Sequence, residues 1–135
     1  MNSKRTLAVD DVKAILDAAQ AHAQSKGWAV TISVVDDGGH LLGLLRLDGA
    51  SPLSAHISPA KAHTSAVGRR DSGAFETIIN EGRTAFLTAP LVAGMLEGGA
   101  PIVVDGQVIG AVGVSGVKST EDVEVARAGI AALSL

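Results

Sequence analysis

A glycine-rich apolar segment at residues 98–116 constrains the fold of this chain more than any other part of the sequence. It contains two apolar runs joined by Asp105-Gly106, a pair that readily adopts the positive φ angles of a tight hairpin turn. Glycine recurs at every third position of the second run, at Gly110, Gly113 and Gly116. Because glycine weakens a strand, this spacing indicates that another backbone or a ligand approaches the strand closely.

The composition favours a single thin-layered domain. A chain of 135 residues is the size of one domain, which we expect to span residues 1–135. Hydrophobic residues make up 47% of it, yet the only aromatic side chains of the Phe, Trp and Tyr types are Trp28, Phe75 and Phe86. Small side chains pack into thin layers and leave apolar surface uncovered. We therefore expect a homo-oligomer, in which a partner subunit covers that surface.

Charge and motif content argue against several classes of function. The net charge is −3 and the longest basic run is Arg69-Arg70, so the chain lacks the electrostatic footprint of a nucleic-acid-binding protein. It contains no cysteine, which excludes a thiolate nucleophile and a cysteine-ligated metal. No run of 18 apolar residues is present, and Asp10 and Asp11 interrupt any N-terminal signal peptide. These features predict a cytoplasmic protein with no membrane partner.

Local patterns predict the order of helices and strands. Apolar residues at helical spacing predict a helix over residues 9–25, ended by Gly27. Residues 28–36 and 40–48 alternate as the strands of a hairpin, with Val30, Ile32 and Val34 on one face. Ser58-Pro59 is expected to open a second helix as its N-cap and first residue, and a short helix is expected near residues 75–80.

The C-terminal segments complete the prediction of an α+β fold. Residues 91–96 are expected to form a middle strand, and residues 119–122 resemble a capping box that opens the final helix. Together with the two hairpins, this gives five strands. Hairpins make an antiparallel sheet, and the terminal helices must cover one of its faces.

His22 is the first residue that could carry chemistry, because it lies on the apolar stripe of the first helix. One interpretation is a core or interface histidine hydrogen-bonded to a carbonyl. The other is an axial ligand to haem iron, donated from an apolar wall. The remaining histidines carry weaker signals: His40 follows a turn and is expected to be exposed, and His56 and His63 do not have the spacing of a metal motif.

A second set of polar residues is compatible with acid–base chemistry. Lys61 and His63 lie close together on the predicted second helix, where a general-base pair or a solvated helix face are the alternatives. Asp36, Arg46 and Asp48 lie at the hairpin and could form a charge network. Such a network is either structural or part of a catalytic pocket, and the spacing alone does not choose between them.

Several segments together resemble the GlcG/HbpS family, which includes the C-terminal domain of PduO-type proteins. The resemblance covers nearly the whole chain, and its most specific part is the hairpin motif VVDGQVIGAVGVSG. The other matching segments are residues 34–42, 46–50, 61–64 and 126–129, together with Asp122.

This resemblance implies a profilin-like α/β/α fold with a five-stranded antiparallel sheet, in homo-oligomers that are often octameric. It also implies haem binding, which several members show, and an association with catabolic enzymes. By the same resemblance, His22 is the match for a haem-iron ligand. A glycine-rich loop lies near haem in secreted members; here that loop contains Met95, and its nearest threonine is Thr88.

The sequence therefore leads to ranked hypotheses. The first is a cytoplasmic accessory protein of a catabolic pathway that binds haem or another tetrapyrrole, with His22, Thr88 and Met95 at the cofactor. The alternative is a small enzyme of hydrolase, lyase or isomerase type, which uses acid–base chemistry on a pathway intermediate. Its candidate catalytic residues are Lys61, His63, Asp36 and Arg46. A third hypothesis is a structural oligomer that stabilises a partner enzyme.

Overall fold

The structure is a computed structural model that describes residues 1–135. Four α-helices, one 3₁₀ helix and four strands follow one another along the chain. Their bounds are α1 Val9–Lys26, β1 Thr31–Asp36, β2 Leu41–Arg46, α2 Ser54–Gly68, α3 Ser72–Asn80, the 3₁₀ helix Thr84–Thr88, β3 Gly99–Val104, β4 Gln107–Ser115 and α4 Ser119–Ile130.

The sheet is antiparallel, with the strand order β2-β1-β4-β3. The two predicted hairpins are confirmed, but the prediction of a fifth strand at residues 91–96 is wrong. Leu91 and Gly94 have φ angles of +63° and +67°, which are incompatible with an extended strand. The segment instead forms an irregular loop that packs against α2, where Gly94 lies beside Ala60.

Helices cover both faces of the sheet, so the α+β layering is confirmed as α/β/α. Helices α1 and α4 pack on one face, and α2 packs on the other. The alternation of β1 decides which residues meet which layer: Ile32 and Val34 join the main apolar core, whereas Thr31 and Ser33 face α2. No α-helix in the structure combines the length and the hydrophobicity needed to cross a bilayer.

The glycines of β4 allow a backbone, not a ligand, to approach the sheet. A Cβ atom on Gly113 would collide with the backbone of Ser58 and Ala62 in α2. The hydroxyl of Ser58 donates to the Gly113 carbonyl oxygen at 2.9 Å, and the Ser33 hydroxyl lies 2.7 Å from that of Ser58. Helix α2 therefore lies on the sheet at a separation that only glycine permits at this position.

The predicted start of α2 is wrong by one turn. The helix begins at Ser54, and Pro59 lies inside it instead of at its first position. An earlier Ser-Pro pair makes the entry turn, because the Ser51 hydroxyl oxygen accepts a hydrogen bond from the Ser54 backbone N–H. By contrast, the prediction for α1 is confirmed: the helix ends at Lys26, and Gly27 follows in the left-handed conformation.

Candidate functional site

His22 lies on α1 and is engaged by a neighbouring helix. Its Nε2 atom is 2.7 Å from Oε2 of Glu124 in α4, and its ring makes an edge contact with Trp28 at a centroid distance of 6.2 Å. The imidazole is partly exposed. The nitrogen that would ligate iron thus already has a carboxylate partner.

Thr88 and Met95 lie on the other side of the sheet from His22. Thr88 ends the 3₁₀ helix, where its hydroxyl donates to the Ala85 carbonyl oxygen. Met95 lines an apolar groove of about 410 Å³ between α3 and the loop that precedes β3. That groove belongs to the α2 and α3 layer, whereas His22 belongs to the α1 and α4 layer. Within one chain, the structure does not bring these three predicted cofactor residues together.

Lys61 is buried and already paired. Its Nζ atom donates to Asp122 Oδ2 at 3.1 Å and to the Val114 carbonyl oxygen at 3.0 Å. Both side chains of the ion pair are almost completely buried, at 4% and 3% exposure. Burial raises the pKa of Asp122 above 3.8, although the charge and hydrogen bond of Lys61 act in the opposite direction. The pair connects α2 to α4 and is almost completely shielded from solvent.

Arg46 is held by a backbone carbonyl at the end of β2. Its Nε and Nη2 atoms both donate to the Ala50 carbonyl oxygen, at 3.1 and 2.8 Å. Arg46 pairs with Thr31 at the start of β1, whereas Asp36 ends that strand. Because the rise is about 3.4 Å per residue, roughly 17 Å of strand separates Arg46 from Asp36.

Asp36 organises the turn between β1 and β2. Its Oδ1 atom accepts hydrogen bonds from the backbone N–H groups of Gly38 and His40, each at 2.9 Å, and lies 3.1 Å from Nδ1 of His40. Partial burial acts to raise the pKa of Asp36, but these hydrogen bonds outweigh it, and the pKa lies below 3.8. Since an ionised carboxylate only accepts, Nδ1 of His40 is the donor.

His63 packs against the same turn from α2. Its Nδ1 atom donates to the Gly39 carbonyl oxygen at 3.2 Å, and its ring occupies the space that a side chain at position 39 would need. Of the four residues predicted for acid–base chemistry, the structure thus brings Asp36 and His63 to one turn. It places Lys61 inside the fold and Arg46 at the opposite end of β1.

The residue that the sequence analysis missed is His40. It was expected to be merely an exposed turn residue, and its side chain is indeed 81% exposed, but its ring is fixed by Asp36. The sequence of residues 36–40 could have predicted this contact. Its two glycines allow the chain to turn back, so that His40 contacts Asp36. No three side chains of the His, Asp or Glu types converge as a protein-ligated metal ion would require.

A family model described as "Haem degrading protein HbpS-like" matches residues 7–131 of the chain. The chain belongs to this HbpS-like family. The GlcG protein of Escherichia coli strain K12 is 54% identical over 115 residues, which make up 85% of each chain. The resemblance to the GlcG/HbpS family is therefore confirmed.

Solved structures of HbpS-like proteins share the fold. A double mutant of HbpS from Streptomyces reticuli has a TM-score of 0.89 and 28% identity, and the match covers 100% of this chain and 92% of that one. The PduOC:heme complex has a TM-score of 0.86 and 26% identity, with 96% of both chains covered. The α/β/α arrangement described above is therefore the one that these relatives adopt.

Proposed function

We propose that this HbpS-like protein binds haem or a related tetrapyrrole. The observation that carries the proposal is the match to the PduOC:heme complex over 96% of both chains. The chain's own residues are compatible with such a ligand. It has no cysteine, so its axial ligands for iron are its histidines and methionines, and the imidazole of His40 is both exposed and oriented. When bound, haem would supply iron-centred redox and ligand-binding chemistry.

The proposal that His22 ligates the iron carries a specific requirement. Its Nε2 atom has to leave Glu124, with which it now makes a contact of 2.7 Å. Thr88 and Met95 lie across the sheet from His22, so any contact they make with a macrocycle on His22 has to come from a neighbouring subunit. This requirement links the predicted cofactor residues to the predicted homo-oligomer.

Titration of the purified protein with haemin tests haem binding. We expect a Soret band shifted from that of free haemin, with saturation at a fixed ratio of haem to chain. An optical spectrum that stays that of free haemin at every ratio would rule out the proposed function. Serum albumin and buffer alone provide the reference spectra for adventitious binding and for unbound haemin.

The edge of the sheet supports the proposal of a homo-oligomer. Strand β2 pairs with β1 on one side only, and Leu41 and Leu44 are 56% and 39% exposed. Leu53, which precedes α2, is 63% exposed. A second copy covering these leucines would remove apolar surface from water. Light scattering should report more than one chain per particle, and Leu44→Lys should reduce that number; a monomer at all concentrations would contradict the proposal.

The alternative hypothesis of an acid–base enzyme is weakened by the positions of its residues. Lys61 is buried in an ion pair, and Arg46 is held by Ala50, so neither shares a cleft with Asp36 and His63. The cytoplasmic location, the association with a catabolic pathway, the octameric state and the role in stabilising a partner enzyme stay predictions.

A further inference from the structure

A cavity of about 360 Å³ lies where the end of α1 meets the end of β2. Its lining combines the apolar residues Leu45 and Leu47 with Trp28 and several polar residues. Small-molecule sites in proteins have volumes in this range and the same kind of lining, apolar and aromatic with a few polar groups. Of the residues discussed above for haem binding or acid–base chemistry, only Arg46 lines it. The cavity is therefore separate from the candidate sites already described.

The end of α1 fixes the position of Trp28. Gly27 has a φ of +73°, and its backbone N–H donates to the Gln24 carbonyl oxygen at 3.1 Å. The Trp28 N–H donates to the Ala23 carbonyl oxygen at 2.9 Å, which completes the pair of hydrogen bonds that commonly closes a helix C-terminus. Trp28 is partly buried, and its ring also contacts His22. The backbone that carries the tryptophan is therefore well ordered by its own hydrogen bonds.

A tight turn after β2 fixes the position of Asp48. The Ala50 backbone N–H donates to the Leu47 carbonyl oxygen at 3.1 Å, and Gly49 within this turn has a φ of +84°. The Arg46 side chain donates twice to the Ala50 carbonyl oxygen and so holds the turn in place. The carboxylate of Asp48 is therefore presented from a fixed turn on the β2 side of the cavity.

The protein itself does not occupy most of the polar groups of this cavity. Four of them make no hydrogen bond or ion pair within the chain: the amides of Gln20 and Gln24, the indole N–H of Trp28 and the carboxylate of Asp48. No buried polar side-chain atom of the molecule lacks a partner, so all four groups reach solvent. The two glutamines are one turn apart on α1 and lie on the same side of the helix. The cavity therefore offers both donors and acceptors to a ligand.

The charges at the cavity disfavour a ligand with a net charge. An anion would meet the carboxylate of Asp48, and a cation would meet the guanidinium of Arg46. A zwitterion would match these two charges, but it has no neutral polar groups for the two amides and the indole N–H. Hydroxyl groups match all of them, because each hydroxyl both donates and accepts. The lining thus favours an uncharged ligand that carries several hydroxyl groups.

We propose that this cavity binds a neutral monosaccharide. The sugar hydroxyls would pair with Asp48, Gln20 and Gln24, and the apolar C–H groups of the sugar ring would pack on Trp28. The electron-rich face of an indole attracts such polarised C–H groups. This inference goes beyond haem binding and does not depend on it.

Trp28 provides a direct readout of binding. The chain has one tryptophan and no tyrosine, so emission excited at the indole band comes from Trp28 alone. D-Glucose, D-mannose and D-galactose are each titrated into the full chain without haemin. We expect at least one of them to give a saturable blue shift, because the sugar replaces water at the indole. Amide chemical shifts from nitrogen–proton correlation spectra should change around residues 27–29 and 45–48.

Two results would overturn the inference. One is the absence of a saturable change for all three sugars up to about 100 mM, a concentration that fills a site with a millimolar dissociation constant. The other is a saturable response whose chemical-shift changes lie away from the cavity. L-Alanine and choline serve as zwitterionic and cationic probes, and binding of either one in place of the sugars also contradicts the proposal.

Matched variants test the assigned contacts. Asp48→Ala should weaken sugar binding by about 10-fold or more, since it removes hydrogen bonds to a charged group. Gln24→Ala should weaken it by a smaller factor of about 2–10, because the lost partner is neutral. Glu81→Ala removes an exposed carboxylate after α3, outside the cavity, and should leave the affinity unchanged.

The result for Asp48→Ala separates a specific site from a nonspecific one. Unchanged affinity in this variant, with circular dichroism showing a folded protein, would overturn the assignment of the cavity. The haemin titration is a separate experiment on the same chain. Failure of sugar binding therefore leaves the proposed function standing, and failure of haemin binding leaves this inference standing.

Discussion

Two lysine–aspartate pairs in this protein use the same side chains with opposite consequences. Lys61 and Asp122 lie between the layers of the fold, at 4% and 3% exposure, whereas Lys4 and Asp37 lie at the surface, at 30% and 43%. Burial raises the pKa of Asp122. At the surface, the hydrogen bond from Lys4 outweighs partial burial and lowers the pKa of Asp37. The difference shows that desolvation, more than the identity of the partner, decides in which direction the pKa of the aspartate shifts.

This comparison also distinguishes an ion pair that stabilises the fold from one that lies at the protein surface. In the buried pair, Lys61 donates to Asp122 and to the Val114 carbonyl oxygen. The pair can therefore hold α2 and α4 together, but it is not accessible to a ligand. The exposed pair lies beside the turn of Asp36 and His40, where a ring nitrogen stays free. The exposed pair therefore lies among polar groups that solvent can reach, whereas the buried pair does not.

The largest expected effect comes from breaking the buried pair. Lys61→Ala leaves the Asp122 carboxylate buried without its cation, and it should lower the free energy of unfolding by about 3–5 kcal/mol. Urea denaturation measures this loss, with Lys118→Ala as the control at an exposed lysine. The double variant Lys61→Met, Asp122→Leu should lose less than Lys61→Ala, because it leaves no buried charge; an equal or larger loss would contradict the role given to desolvation.

A smaller effect should appear in the dependence of stability on pH. The pKa of Asp37 is lower in the folded state, so its contribution is present above about pH 4 and is lost as the pH falls below that value. Asp37→Asn should therefore reduce the fall in melting temperature as the pH decreases below about 4.

The opposite direction is expected for Asp122. Its pKa is raised, so its contribution to stability decreases as the pH rises. Asp122→Asn should therefore make stability increase more steeply with pH above about pH 4.

The control for these pH profiles is Asp48→Asn, which changes an exposed carboxylate at the other end of the hairpin. Slopes that change in the same direction for Asp37→Asn and Asp122→Asn would contradict the opposite pKa directions.

The smallest effect is expected at the exposed pair. Lys4→Ala should cost at most about 1 kcal/mol of unfolding free energy, because water and salt screen a surface ion pair. Denaturation at low and high salt measures the cost, which should shrink as the salt concentration rises. A loss as large as that of Lys61→Ala would mean that exposure does not distinguish the two pairs.

Local signals predicted most of the fold. Asp105-Gly106 fixes a hairpin through its own backbone preferences, and Gly27 ends α1 in the same way. The errors arose where tertiary packing decided the outcome. No local sequence pattern indicates the positive φ angle of Leu91. Two Ser-Pro pairs precede or lie in α2, and the helix begins after the earlier one, where Ser51 accepts the hydrogen bond from the Ser54 backbone N–H.

The candidate site was predictable only in part. The contact between Asp36 and His40 lies within five residues and could be found from the glycines between them. Lys61 and Asp122 are 61 positions apart, and His22 and Glu124 are 102 apart. No local pattern shows that such distant partners contact a side chain, so the sequence alone could not show that Lys61 is buried in an ion pair or that His22 contacts Glu124.

A crystal structure of the haemin complex tests the central claim most directly. We predict iron bonded to a histidine of this protein outside the closed core, with Lys61 and Asp122 still paired between α2 and α4. A complex in which haem contacts Lys61 or Asp122 would contradict this prediction.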